Sequence, residues 1–530
     1  MQLHGKHFIG DLLSAEGEAA FHGVDPTTGQ RLEPAYHEAT ADEIDRAMNA
    51  AADAFEQAGP VSADRVAGLL EAIGQRIVAL GDALIERAGA ETGLSPARLT
   101  GERGRTVGQL KMFADLVREG SWVDARIDRA LPDRKPFPRP DLRRMLIAIG
   151  PVVVFGASNF PLAFSVAGGD TASALAAGNP VVVKAHPAHP GTSEMVAGAI
   201  VAAVEAAKLP AGWFSMVHGA GPQTSLALVS HPAARAVGFT GSLRAGRAIY
   251  DAAAARPEPI PVYAEMGSTN PMFILPQALS MRGDEIAEGF KQSVTLGTGQ
   301  FCTKPGMVFG INGPALAGFV KKASELIGQS PAATMLHEGI ARAFAAGVEN
   351  VAGIDGVRCT ARGVGQKANE SQASAVLFET EAERFLGSDT LRQEVFGPAA
   401  LVVSCGSAEQ LEEVARSLEG QLTATIHGTA DDLARHGRLV EILKNKVGRL
   451  IFNGFPTGVE VSPAMNHGGP YPASSDVHFT SVGTAAIYRF ARPICYQNFP
   501  AAALPVELRD ENPRGIWRLV DGQKSRDAPG

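Results

Sequence analysis

Apolar positions along this chain change their period several times, and each change predicts an element. Between residues 6 and 36 short apolar segments are interrupted by Gly10, Gly17, Gly23 and the turn Asp25-Pro26-Thr27-Thr28-Gly29, which predicts short antiparallel strands. Thr40-Ala41-Asp42-Glu43 is a capping-box pattern, and Ile44, Met48, Ala51, Ala52 and Phe55 recur on one helical face, so a helix is expected over 41–58. A second helical pattern follows over 63–90. From 147 to 265 the alternation becomes regular: continuously apolar segments at 147–155, 180–183, 214–217, 236–239 and 260–264 are separated by helical patterns at 165–177, 193–208, 222–230 and 243–255. Strands without polar alternation need cover on both faces, which is the requirement of a parallel sheet between helices, so this block predicts an α/β, nucleotide-binding-type domain. A second alternating block from 284 to 469, with helical patterns at 284–297, 314–328, 338–346 and 408–417, predicts a second α/β domain. The segment 121–140 is basic and proline-rich and suits a bridging strand pair. The last thirty residues carry little periodicity and are expected to form a surface tail.

Composition narrows the classes. With 530 residues, 45% hydrophobic and 20% charged, the chain can bury a large core in two to four domains. A net charge of -8 offers no field for a polyanion, and no Lys/Arg stripe interleaves with aromatics, so nucleic acid is not an expected partner. Residues 145–169 carry no charged side chain, but Gly150, Pro151, Gly156, Asn159, Pro161 and Gly168-Gly169 break the run, which suits a buried strand, a turn and a helix rather than a membrane span. The N-terminus shows no apolar run of a secretory leader, and Cys302, Cys359, Cys405 and Cys495 lie too far apart for a disulfide framework or a zinc knuckle. A cytoplasmic protein without a metal is the expectation.

Few residues stand out chemically. Cys302 lies in the Gly-rich turn Gly297-Thr298-Gly299-Gln300-Phe301-Cys302, where backbone N–H groups can surround a thiolate; a nucleophile and a small buried loop residue both fit. Glu265 ends an apolar segment and Glu394 stands in Gln393-Glu394-Val395-Phe396-Gly397-Pro398; each is placed to enter a cleft, although an exposed ion-pair partner is the commoner fate. Asn159 can donate its amide to an oxyanion or simply make a turn. Gly241-Ser242 and Gly246 open a helix after a strand, a phosphate-binding context without the full dinucleotide fingerprint. His186 and His189 have no third ligand nearby and read as a loop facing solvent or a ligand.

Taken together, Gly156-Ala157-Ser158-Asn159-Phe160-Pro161, Val182-Val183-Lys184, Phe239-Thr240-Gly241-Ser242 with Gly246, Ala264-Glu265-Met266-Gly267, Gly299-Gln300-Phe301-Cys302 and Glu394-Val395-Phe396-Gly397-Pro398 resemble the NAD(P)-dependent aldehyde dehydrogenase superfamily from about residue 20 to 490. The resemblance implies a Rossmann-type cofactor domain (1–120 and 141–264), an α/β catalytic domain (265–470), small bridging strands for oligomerisation (121–140 and 480–498) and a tail (499–530). It implies Cys302 as nucleophile, Asn159 as oxyanion donor and Glu265 as general base. Lys184 would contact ribose, Gly241, Ser242 and Gly246 would form the pyrophosphate turn, Glu394 would hold the nicotinamide ribose, and Phe396 would pack near the ring. Many NAD-preferring members carry Glu three residues after the lysine, where this chain has Pro187; with no carboxylate to repel a 2'-phosphate, and Lys184 and His186 available to it, NADP is the expected cofactor with NAD also usable.

Within the superfamily the motifs are most similar to α-ketoglutaric semialdehyde (2,5-dioxopentanoate) dehydrogenases, and NADP-dependent fatty aldehyde dehydrogenases are also similar. A dicarboxylate product calls for a cation in the substrate tunnel, and Lys304 is the one cation within a few residues of Cys302, while Phe160, Phe164, Phe301 and Phe455 are expected tunnel walls. A coenzyme A-acylating relative would lack a base at Glu265, and a non-catalytic structural member would have lost Cys302 or Glu265. The resemblance further implies a late strand near 484–489 in the bridging region, and a homodimer or homotetramer.

Overall fold

Continuous apolar strands alternating with helices assemble into the first sheet of the computed structural model, which describes residues 2–365 and 371–528. Its spatial order is Val262–Glu265, Ala236–Thr240, Val152–Phe155, Val181–Lys184, Phe214–Val217, His7–Ile9 and Leu12–Ser14. The first five run parallel, and the two N-terminal strands close the edge antiparallel. Val152–Phe155, Val181–Lys184 and Phe214–Val217 are buried at every position, because helices cover both faces. The helices Ala63–Ala79 and Pro190–Ala206 contribute Leu70, Ile73, Ile200 and Val204 to one core cluster, and Ala41–Ala58 contributes Ile44, Met48 and Ala51 to another. The capping box at Thr40 is formed as the sequence predicts, with Thr40 and Glu43 each accepting from the other's backbone N–H.

The second sheet runs Arg358–Arg362, Val376–Glu381, Ala399–Cys405, Met307–Ile311, Met272–Ile274, Gln421–His427 and Val447–Phe452, parallel throughout except for its first, edge strand. A third sheet of five strands joins Ala491–Gln497, Leu142–Ala148, Arg126–Asp128, Arg518–Val520 and Gln523–Ser525.

Several expectations are corrected. The helical pattern over 63–90 is two helices, Ala63–Ala79 and Gly81–Thr92, parted where Gly81 takes φ +62°. The apolar run 147–155 is likewise cut: Leu142–Ala148 joins the third sheet and Val152–Phe155 the first, with Gly150 (φ 113°) and Pro151 between them. The strand expected near 484–489 is the 3-10 helix Thr484–Phe490, and the strand begins at Ala491. The bridging strand Arg126–Asp128 pairs not within 121–140 but with Leu142–Ala148.

The last thirty residues do not form a loose surface tail. Leu504, Leu508 and Ile516 are buried in the largest core cluster. Arg518–Val520 runs parallel to Arg126–Asp128, Arg143 pairs with Asp510 at 2.7 Å, and Arg129 and Arg139 both reach Asp521. Sequence periodicity missed this because each apolar anchor is isolated among charges that are themselves paired.

Candidate active site

The parallel strands of the first sheet end along one edge, and that edge carries most of the sequence-predicted residues: Lys184 and Glu265 are last in their strands, and Gly156, Asn159 and Gly241-Ser242 follow others. Cys302 arrives on an unusual turn that precedes the strand Met307–Ile311 of the second sheet. Gly297, Thr298 and Gly299 take φ of 55°, 57° and 65° in succession, a conformation that costs a β-branched threonine on the order of 1–3 kcal/mol. Thr298 Oγ1 donates to Thr334 O at 3.0 Å, which holds it there. A Cβ on Gly299 would lie 2.4 Å from the Gly397 carbonyl carbon, so only glycine lets this turn seat against the segment that carries Glu394.

The structure brings Asn159, Cys302 and Glu265 together and adds residues that sequence reasoning missed. Asn159 Nδ2 donates to Gln300 O at 3.0 Å, beside the turn. Nε2 of His467 lies 3.6 Å from Cys302 Sγ and 2.9 Å from Glu265 Oε1. Ser481 Oγ donates to the other oxygen, Oε2, at 2.6 Å. Nothing in the sequence ties His467 to Cys302, 165 residues earlier; its only signal is a histidine beside Gly468-Gly469. Among the described residues His467 Nδ1 is buried without a partner. The donor atoms of these three residues lie within 4.8 Å of one another, a spacing that also suits a divalent cation.

The electrostatics divide the roles. Burial would raise the Glu265 carboxyl, but the His467 charge and the hydrogen bonds from His467, Ser481 and Cys302 outweigh it and hold it below its ordinary value. It is therefore ionised at neutral pH. Burial, with the Glu265 charge second, pushes the Cys302 thiol well above its ordinary value. Before any ligand binds, Cys302 is thus mainly a thiol at neutral pH. Iodoacetamide alkylation of Cys302 should then rise about tenfold per pH unit from 7 to 9, because the thiolate is the reactive form. Glu265→Gln removes the repelling charge and should shift that curve to lower pH; a rate independent of pH would contradict both statements.

The cofactor candidates are arranged along the same edge. Lys184 is 8% exposed, and burial lowers its pKa to about 8. His186 stacks on His189 with centroids 5.4 Å apart, and its Nδ1 accepts from the Ala188 N–H. Burial holds its pKa well below the ordinary value, so it enters as a neutral donor rather than the second cation. Ser242 Oγ caps the helix Leu243–Ala254 through Ala245 N at 3.3 Å, with Gly241 and Ser242 exposed. Gly246 has a structural reason: a Cβ there would lie 2.7 Å from Met266 Sδ. Glu394 is half-buried, faces the backbone N–H of Ser268 and sits beside Lys304; Phe396 is half-buried next to it in the chain. An ammonium, an open helix start and a carboxylate along one strand edge are a donor set that fits a dinucleotide.

Lys304 is not the tunnel cation. Its Nζ donates to Ala399 O at 2.8 Å and Val395 O at 3.2 Å, and it lies against Glu394. Of the expected tunnel aromatics, Phe160, Phe164 and Phe301 cluster, with Phe160 5.2 Å from Phe164 and 5.3 Å from Phe301. Phe455 packs on His427 instead, at 5.1 Å. Arg98 completes the cluster, its guanidinium 4.6 Å from the centroids of both Phe160 and Phe301.

Residues 13–475 match the aldehyde dehydrogenase family. The chain is 53% identical over 527 residues to α-ketoglutaric semialdehyde dehydrogenase 2 of Azospirillum brasilense, covering 99% of this chain and 100% of that protein. It is 45% identical over 520 residues to α-ketoglutaric semialdehyde dehydrogenase of Acinetobacter baylyi, covering 98% of each. Among solved structures, betaine aldehyde dehydrogenase from Staphylococcus aureus in complex with NAD+ superposes with a TM-score of 0.80 at 18% identity, covering 94% of this chain and 96% of that one.

Proposed function

The chain belongs to the aldehyde dehydrogenase family, and from that premise we propose that it oxidises 2,5-dioxopentanoate to 2-oxoglutarate, with NADP as the preferred acceptor and NAD as a second. The observation that carries the chemistry is the contact of Cys302 and Glu265 with one imidazole nitrogen of His467. The substrate rests on the 53% identity to the Azospirillum brasilense dehydrogenase over nearly the full length.

In this reading the Cys302 thiol gives its proton to the Glu265 carboxylate, which passes it on to solvent, as Sγ attacks the aldehyde carbon, and the Asn159 amide receives the charge that develops on oxygen. The nicotinamide, when bound, supplies the hydride acceptor. Glu265 then takes a proton from the water that releases the acyl group from Cys302. Its depressed pKa keeps it available as a base, Ser481 fixes one carboxylate oxygen, and His467 sits where a proton can pass between carboxylate and sulfur. NADP preference is supported by Pro187 and by Lys184 at the end of its strand, where no acidic side chain follows in Ala185-His186-Pro187.

Two features bear on partners and place. No helix of the described residues is long and apolar enough to cross a membrane. Among the described residues the strand Ala491–Gln497 is paired on one side only, and we assign its open edge to the pairing of protomers in a dimer or tetramer, as for a cytoplasmic enzyme of this class.

Initial rates with NADP and NAD against 2,5-dioxopentanoate, succinic semialdehyde, glutaraldehyde and straight-chain aldehydes test the proposal. The expected result is the highest kcat/KM on 2,5-dioxopentanoate with NADP. A kcat/KM that instead climbs with every added methylene, by up to ~0.8 kcal/mol each, would make the substrate a fatty aldehyde; a higher kcat/KM with NAD would end the NADP assignment.

A further inference from the structure

We infer that Arg105 and Arg449 form the far end of the substrate site, where they bind the carboxylate of a short aldehyde whose reactive end is at Cys302. The inference rests on the aldehyde reading above and names the groups that would select the substrate class.

The two arginines come from different elements, the helix Pro96–Glu119 and the strand Val447–Phe452, and are anchored to one loop. Arg105 Nη1 donates to Val459 O. Arg449 Nη1 donates to Gly458 O at 3.2 Å and its Nη2 to Pro456 O at 2.8 Å. In both, the Nε is buried without a hydrogen-bond partner among the described residues. A buried, unpaired guanidinium N–H costs free energy in a protein that offers it nothing, and a carboxylate is the group that satisfies such a fork best.

Position ties the pair to the chemistry. The Arg105 guanidinium lies 5.8 Å over the Phe164 ring, that ring is 6.5 Å from the ring of His467, and His467 is 3.6 Å from Cys302 Sγ. Arg98, Glu102 and Arg105 follow one another on one face of their helix, but Arg98 and Glu102 are committed elsewhere. Arg98 is held between Phe160 and Phe301 and pairs with Glu102 at 3.6 Å, and Glu102 accepts the N–H groups of Leu162 and Ala163. Burial lowers both Arg105 and Arg449, against which Glu102, Glu460 and Glu265 support the Arg105 charge. Glu460 is exposed and free to turn to water. The cation expected near Cys302 is thus present, supplied by two residues remote in sequence rather than by Lys304.

Arg105→Met and Arg449→Met should each lower kcat/KM for 2,5-dioxopentanoate by ~30-fold, mainly through KM, the scale of a charge-assisted hydrogen bond. Oxidation of pentanal, which has no carboxylate, should not fall with it and serves as the folding control. Variants active on pentanal that keep wild-type kinetics on 2,5-dioxopentanoate and succinic semialdehyde would overturn the inference. The unaltered enzyme gives a measurement that no misfolded variant can remove: 2-oxoglutarate should compete with pentanal and its dimethyl ester should not, and equal inhibition by the two would also overturn it. If the unaltered enzyme prefers another carboxylate-bearing aldehyde to 2,5-dioxopentanoate, the named substrate fails, while the arginine pair stands or falls on that aldehyde's loss in the variants.

Discussion

Cys302→Ala will leave no aldehyde oxidation with any substrate or cofactor. In the proposed mechanism Asn159 and Glu265 both act on the adduct that Cys302 forms, so without its sulfur there is no oxyanion for Asn159 to stabilise and no acyl group for water to release. Cys359, Cys405 and Cys495 cannot substitute, because Cys359 and Cys495 are exposed, Cys405 is enclosed in the second domain's core, and none of them adjoins the His467 and Glu265 pair. The measurement is reduced-nicotinamide formation over hours with the purified variant, together with cofactor binding by fluorescence to show that the fold persists. Measurable turnover would remove Cys302 from the mechanism.

Asn159→Ala is the second large effect. Its amide is the donor beside the Cys302 turn, 3.0 Å from Gln300 O, and an oxyanion donor in such a place contributes about 3–4 kcal/mol, so kcat should fall on the order of a thousandfold. KM should change little, since the charge that Asn159 serves develops after binding. The same truncation unpairs the Gln300 carbonyl, so a modest fall in thermal stability is expected as well. A loss of less than tenfold in kcat would assign Asn159 to the turn alone.

These two residues were legible in the sequence because each lies in a local signal: a Gly-rich turn for Cys302, a strand end for Asn159. The same holds for the strand Phe214–Val217 and the helix Pro222–Ser230, found at the ends that the pattern predicts. What remained hidden is non-local. His467 and Ser481 meet Glu265 only through the long segment after the last strand of the second sheet, and sequence spacing carries no trace of that meeting. The helix Pro96–Glu119, which carries Arg98 and Arg105, was not read at all. Gly101, Gly104 and Gly108 and charges on several faces erase its apolar stripe, since part of that surface faces the site rather than the core. Lys304 illustrates the converse: nearness to Cys302 in sequence suggests a role in the tunnel, and its ammonium is instead held by the carbonyls of Val395 and Ala399.

The strands Arg518–Val520 and Gln523–Ser525 complete a sheet that Arg126–Asp128 begins. Synthesis runs from the N-terminus, so nearly four hundred residues emerge between the first of these strands and the last. The first two sheets can therefore begin to assemble before the segment that finishes the third sheet has emerged. Until that segment emerges, Leu504, Leu508 and Ile516 leave their places in the core vacant, and the open edge and the apolar surface beneath them are what a chaperone would find on the nascent protein.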